Sequence, residues 1–167
     1  MKDRIDKIKL LALDVDGVLT DGKIVVDDEG KEIKFFDVQD GFGLVLLKRA
    51  GFKTAIITAR ATKAVEVRAR DLKFDRVYQD AYPKIKAYEQ LIQELGVADE
   101  EVCYMGDDLA DLKVLQRVGF AVAVPNAVPD VKKVCHYITK KAGGNGAVRE
   151  VIELLLEHQG KWGGLLE

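Results

Sequence analysis

Net charge, long apolar runs and cysteine are all scarce in this chain, and each shortage removes a class of function. Across 167 residues the formal net charge is only -2, so no basic surface is on offer to a nucleic acid. No apolar stretch approaches the roughly 20 residues needed to cross a bilayer. The amino terminus alternates charged residues with Ile and runs straight into an apolar segment, so no signal peptide is expected. The 2 cysteines, Cys103 and Cys135, lie among apolar neighbours. That setting suits reduced core thiols in a cytoplasmic protein, not a nucleophile, which wants a basic and exposed site. The 2 histidines, His136 and His158, stand alone and read as structural or exposed. Internal repeats and linkers are missing as well. Residues 1–167 are therefore expected to form one domain, long enough to bury a real core.

What is present is an alternation of short apolar runs with helix-period segments, the pattern of an α/β protein whose central, mainly parallel sheet carries helices on both faces. The expected architecture is a Rossmann-like three-layer sandwich. Strands are predicted over Lys9–Leu13, Thr54–Thr58, Arg76–Tyr78, Val102–Met105 and Ala121–Val124. Helices are predicted over Phe42–Ala50, Thr62–Leu72, Pro83–Leu95, Leu109–Val118 and Ala147–His158. Pro83 suits a helix start and Gly96 a helix end. One segment, about residues 23–36 ("KIVVDDEGKEIKFF"), breaks the alternation and reads as a β-hairpin turning at Asp27-Asp28-Glu29-Gly30. An isolated hairpin is marginal in water, so Ile24, Val26, Ile33 and Phe35 must pack either on the chain's own core or on the hairpin of another subunit. The Gly-rich tail, about 160–167, is expected to be flexible, with Trp162, Leu165 and Leu166 as contact residues.

The polar residues of interest fall at strand ends, where ligands bind in open α/β sheets. "LLALDVDGVLTDG" ends a greasy run in Asp14 and Asp16, with Asp21 close behind. Side chains alternate along a strand, so Asp14 and Asp16 share a side, and like charges so close call for a cation or a proton between them. A solvated turn is the alternative, since Asp and Gly are common turn formers. Other strand ends carry Thr58 and Arg60 after "TAIIT", Lys84 after "RVYQDAYP", and Asp107 with Asp108 after "VCYMGDD".

Helical phase adds two more groups. Arg68 falls beside the apolar stripe of Ala61, Val65, Ala69 and Leu72, and a half-buried Arg needs either an internal carboxylate or an anionic ligand. Lys84 aligns with Tyr88, Leu91 and Leu95 on an inward face, whereas Lys86 aligns with Glu89, Gln90 and Gln93 on the wet face. Lys84 also stands at a helix N-terminus, where positive charge is disfavoured unless something negative offsets it. These groups compose a phosphoryl-transfer site. Asp14 and Asp107 offer the hard oxygens that suit magnesium, one carboxylate attacks phosphorus, and a second protonates the leaving oxygen and then activates water. The Thr58 hydroxyl and Lys84 neutralise the phosphoryl oxygens. No loop has the ligand density of an EF-hand, which argues against calcium.

"DVDGVLT", Thr58, Lys84 and "GDDLAD" resemble, in order, the motifs of the haloacid dehalogenase-like phosphatases. The resemblance extends over nearly the whole chain to the 3-deoxy-D-manno-octulosonate 8-phosphate phosphatases, through "GVLTDG", "KFFDVQDGFG", "IITAR", "YMGDDLADL" and "AGGNGAVREV". It implies a magnesium-dependent phosphomonoesterase of lipopolysaccharide precursor synthesis. Asp14 would be nucleophile and metal ligand, Asp16 the acid/base that also binds metal through its backbone carbonyl, and Asp107 the remaining protein ligand. The implied substrate contacts are Asp16, Asp37, Val38, Gln39, Asp40, Gly41, Arg60, Arg68 and Lys84. Ala59 and the "QDAYP" stretch depart from the family's usual glycines. Between Asp16 and Thr58, and between Thr58 and Lys84, there is no room for a cap domain. The resemblance therefore implies a homotetramer in which a neighbour's surface and tail complete the pocket.

Asp108 and Asp111 read either as groups that tune the metal or, for Asp108, as a helix cap. Gly143–Gly146 reads as a loop before the last helix, the alternative being a phosphate cradle. Three competing functions remain: a nonulosonate 9-phosphate phosphatase, a response-regulator receiver domain, which also gathers acids, Thr and Lys at sheet ends, and a non-catalytic scaffold.

Overall fold

The computed structural model describes residues 1–165. In chain order it contains α1 (Lys2–Ile5), β1 (Leu10–Leu13), β2 (Val25–Val26), β3 (Glu32–Ile33), α2 (Val38–Arg49), β4 (Lys53–Ile57), α3 (Lys63–Asp71), β5 (Arg76–Tyr78) and α4 (Lys84–Leu95). There follow β6 (Val102–Gly106), α5 (Leu112–Leu115), β7 (Phe120–Ala123), α6 (Pro129–Val134), β8 (Tyr137–Ile138) and α7 (Ala147–His158). Six strands form one sheet in the order β5-β4-β1-β6-β7-β8, every neighbouring pair parallel. β1 lies centrally and all four of its residues are buried, as a strand covered on both faces requires. Packing of α2 on α7 and α1 on α7 covers one side, while α4, α5 and α6 pack together.

Local signals set the helix ends. α2 starts at Val38, earlier than the predicted Phe42, because the Asp37 carboxylate accepts from the amides of Gln39 at 2.6 Å and Asp40 at 3.0 Å. Such a cap satisfies amides that a helix start leaves unpaired. α4 stops at Gly96, which takes a left-handed conformation. The predicted Leu109–Val118 helix is instead a 3-10 turn over Leu109–Asp111 followed by the short α5. Asp111 causes the break, since its Oδ2 accepts from the amides of Asp107 and Asp108. α1, α6 and the two-residue β8 had no periodic signature to read.

The hairpin is confirmed as a separate two-stranded antiparallel sheet, Val25 opposite Ile33 and Val26 opposite Glu32. Its apolar residues do not pack on the chain's own core: Ile24 is 51%, Val26 58%, Ile33 44% and Phe35 71% exposed. Of the expected tail contacts, Trp162 and Leu165 are half-buried against the core, and the Arg149 guanidinium lies over the Trp162 ring. Leu166 and Glu167 fall outside the described residues. Among the described residues no helix is long and apolar enough to cross a membrane.

Candidate active site

The loops after β1, β4 and β6 converge on a cleft of about 230 Å³ lined by Asp14, Asp16, Thr58, Arg60, Lys84 and Asp107, among others. It sits at the carboxyl ends of the strands, where the chain's path on either side of β1 opens a crevice. A larger groove, about 510 Å³, lies at the opposite ends between Lys9, Phe52, Glu101 and Lys161. Its charged lining includes the Lys9–Glu101 pair, and the close acidic group found among the described residues, Asp14, Asp107 and Asp111, does not lie in it.

The turn after β1 is built to hold carboxylates close. Asp14 continues β1, its amide bonded to the Met105 carbonyl at 3.0 Å. Thr20 Oγ1 accepts from the amides of Gly17 and Gly22 and so closes the loop. Gly17 has φ +90°, and a Cβ there would fall 1.9 Å from Asp107 Oδ2. Only glycine lets Asp107 approach so near. The Gly17 carbonyl accepts from Asn126 Nδ2 at 2.8 Å, and Asn126 Oδ1 in turn accepts from the Gly143 amide. The glycines before α7 thus serve as a loop packed on the turn, and a Cβ on Gly143 would meet the Gly17 carbonyl at 1.8 Å. Asn126 had no sequence signal, being a single polar residue after a strand.

Lys84, 3% exposed, places its Nζ 2.7 Å from both Asp14 Oδ1 and Asp111 Oδ1. Lys86 is exposed, as helical phase predicts. Asp111 Oδ1 also accepts from Tyr104 Oη at 2.7 Å, so both Asp111 oxygens are spent inside the protein. Burial pushes the Asp14 carboxyl well above the usual range, with the Asp111 charge adding and Lys84 opposing. Burial and then Asp111 raise Asp107 to about 6. Burial alone would depress Lys84, but the charges of Asp14 and Asp111 hold its ammonium above its ordinary value.

Carboxylate oxygens of Asp14, Asp107 and Asp111 lie within 4.8 Å of one another, and buried Asp107 Oδ1 has no hydrogen-bond partner. With Asp111 committed, Asp14 and Asp107 are the acids left to face a hard divalent cation, which these hard oxygens fit. Asp108 caps the 3-10 turn through the Leu109 amide.

The remaining expected contacts are dispersed. Arg60 lines the cleft and pairs with Glu32 of the hairpin. Among the described residues Arg68 has no carboxylate partner: its Nη2 donates to the Asp37 carbonyl at 3.3 Å and its guanidinium lies over Phe36. Gly41 leaves the space that Arg68 fills. The Asp40 side chain is buried and its Oδ1 accepts from the Arg149 amide at 2.7 Å, so its carboxylate caps α7. In the Asp37–Gly41 stretch only Val38 and Gln39 are exposed. Missed altogether were Glu32 and Lys34. Lys34 Nζ sits 2.5 Å from Asp16 Oδ1.

Burial raises Asp40 from 3.8 to about 6, the Arg149 amide opposing. A raised acid pKa means that the folded state holds the proton more tightly than the unfolded chain. The ionised carboxylate therefore penalises folding above about pH 6, and the penalty fades as pH falls from about 6 towards 3.8. Asp40→Asn keeps an acceptor for Arg149 without the charge. At pH 8 it should melt above the wild type by the equivalent of about 2–3 kcal/mol, with the gap closing towards pH 4 in thermal denaturation.

Three comparisons with known proteins bear on this geometry. Residues 75–152 match the haloacid dehalogenase-like hydrolase family. The 3-deoxy-D-manno-octulosonate 8-phosphate phosphatase of Escherichia coli K12 is 45% identical over 95% of this chain and 84% of its own length. The chain belongs to the 3-deoxy-D-manno-octulosonate 8-phosphate phosphatase family of haloacid dehalogenase-like hydrolases. Two solved structures agree in fold. The Moraxella catarrhalis phosphatase, in complex with magnesium, phosphate and KDO, superposes with a TM-score of 0.96 at 44% identity, covering 99% of this chain and 95% of that one. A Legionella pneumophila hydrolase of the same superfamily gives 0.94 at 46% identity, covering 96% and 88%. Membership of this family sets aside the receiver and scaffold readings.

Proposed function

We propose that this chain removes the phosphate of 3-deoxy-D-manno-octulosonate 8-phosphate by magnesium-dependent hydrolysis through an aspartyl-phosphate, in lipopolysaccharide precursor synthesis. The observation that carries the reading is the convergence of Asp14, Asp107, Thr58 and Lys84 on one cleft at the carboxyl ends of β1, β6 and β4. Asp14, Asp107 and the Asp16 backbone carbonyl would hold magnesium, which when bound polarises a phosphoryl oxygen and offsets the acids' repulsion.

An Asp14 carboxylate oxygen forms a bond to phosphorus as the bond to the sugar oxygen breaks, and Asp16 gives that oxygen its proton. The Thr58 hydroxyl and the Lys84 ammonium take up the charge on the phosphoryl oxygens. Asp16, now ionised, accepts a proton from the water that attacks the aspartyl-phosphate. Inorganic phosphate leaves and Asp14 is restored. Arg60 and the exposed Val38 and Gln39 supply contacts for the sugar acid, Arg60 releasing Glu32 for the substrate carboxylate.

The cleft is smaller than the roughly 300–1,000 Å³ that encloses a whole drug-sized ligand, so most of the sugar must lie outside it. We assign that part of the substrate to a neighbouring subunit in a homotetramer, whose hairpins bury one another's Ile24, Val26, Ile33 and Phe35. The double substitution Ile24→Glu with Phe35→Glu should yield monomers by light scattering. These monomers should still bind magnesium and cleave an aryl phosphate, but lose preference for the octulosonate. A wild-type monomer with full preference contradicts this assembly. The two unpaired cysteines, one of them buried, support a cytoplasmic location.

The test is phosphate release across a panel of sugar phosphates with magnesium. The octulosonate 8-phosphate should surpass the nonulosonate 9-phosphate in kcat/KM, and the reverse ranking overturns the assignment. Exhaustive chelation should abolish release, and magnesium, manganese or cobalt should restore it. Full activity after chelation contradicts the role given to Asp14 and Asp107.

A further inference from the structure

Lys34 is 3% exposed at its side chain, although it belongs to a hairpin whose apolar residues stand in solvent. A lysine is buried only against compensating charge. Its partners are Asp16 Oδ1 at 2.5 Å and Glu32 Oε2 at 3.3 Å, and Glu32 pairs through its other oxygen with Arg60. Asp16, Lys34, Glu32 and Arg60 therefore form a line of alternating charge whose two ends, Asp16 and Arg60, line the cleft. The two middle members come from the hairpin and the two outer ones from sheet loops.

Asp16 lies beyond the end of β1, so no sheet neighbour fixes its rotamer. Among the described residues Lys34 is the one group bonded to its carboxylate. With Oδ1 engaged, Oδ2 is the oxygen left to exchange a proton with the leaving group.

We infer that Lys34 is a positioning residue for Asp16, so that the hairpin sets the geometry of proton transfer to the leaving oxygen. The inference rests on the phosphatase reading above. It gives the hairpin a task inside its own subunit's site, separate from assembly. A general acid matters most where the leaving group is a poor one, such as a sugar alkoxide. It matters little where the leaving group departs without a proton, as p-nitrophenolate does.

The experiment compares single-turnover release from 3-deoxy-D-manno-octulosonate 8-phosphate and from p-nitrophenyl phosphate, with enzyme in excess. Lys34→Met should slow sugar release about 100-fold, the usual effect of a displaced catalytic group, and nitrophenolate release by less than about 3-fold. KM, magnesium affinity and light-scattering mass should stay as in the wild type, and Lys34→Arg should restore most of the sugar rate. Lys31→Ala, on the exposed hairpin turn, should behave as the wild type. If Lys34→Met does not fold, the same ratio is read from Lys34→Gln. Equal loss on both substrates, or a raised KM with unchanged kcat, overturns the inference while leaving the phosphatase reading intact. A wild-type protein that cleaves neither substrate overturns the reading and the inference together.

Discussion

Asp14→Asn is expected to lower phosphate release by at least about 1,000-fold, as loss of a covalent nucleophile does, while the far-ultraviolet circular dichroism stays that of the wild type. The amide keeps the size and planarity of the carboxylate and can still accept from Lys84, 2.7 Å away. It is a far weaker nucleophile and a poorer ligand for a hard cation. The fold should not suffer, because Asp14 is buried and its ionised form is disfavoured by that burial and by Asp111. Removing the charge relieves strain that only the cation or Lys84 would otherwise offset. Retention of most of the activity in a preparation free of wild-type enzyme would place the nucleophile elsewhere.

Lys84→Ala should be nearly as damaging, and Lys86→Ala should be silent. The two lysines are neighbours on α4, yet one is buried between Asp14 and Asp111 and the other is in water. Truncating Lys84 leaves buried carboxylates without a counter-charge, which costs about 3–5 kcal/mol of stability. It also removes a cation from the phosphoryl oxygens, worth about 100- to 1,000-fold in kcat. An exposed lysine truncated on a helix surface changes stability by less than about 0.5 kcal/mol. Added magnesium should recover part of the lost melting temperature of Lys84→Ala and none of its kcat. Equal effects of the two substitutions on kcat would contradict the assignment.

The distinction between Lys84 and Lys86 was legible because helical phase is a strong local signal, with Tyr88 and Leu91 marking the buried face of α4. The strand-end acids were legible for a similar reason. A run such as Leu10–Leu13 announces a buried parallel strand, and polar residues straight after it stand where such sheets bind ligands. Lys34 and Glu32 were not legible. In the sequence they look like the wet positions of a hairpin, and their burial depends on the angle at which the hairpin leaves the domain. The capping role of Asp40 was not legible either, because its carboxylate serves the amino terminus of α7 at a residue 109 positions further along the chain. Asp111 was read on a regular helix, whereas its bonds to the amides of Asp107 and Asp108 tighten that turn and aim it at Lys84.

The claim on which the rest depends is that Asp14 carries the phosphoryl group. Asp16→Asn enzyme mixed with magnesium and p-nitrophenyl phosphate offers the most direct test, since this leaving group departs without Asp16 but the following hydrolysis needs it. Acid quenching and peptide mass mapping should find one phosphoryl group on the peptide containing Asp14, accumulating with the burst of nitrophenolate. A phosphoryl group on any other residue, or full turnover with no phosphorylated peptide, would contradict the account.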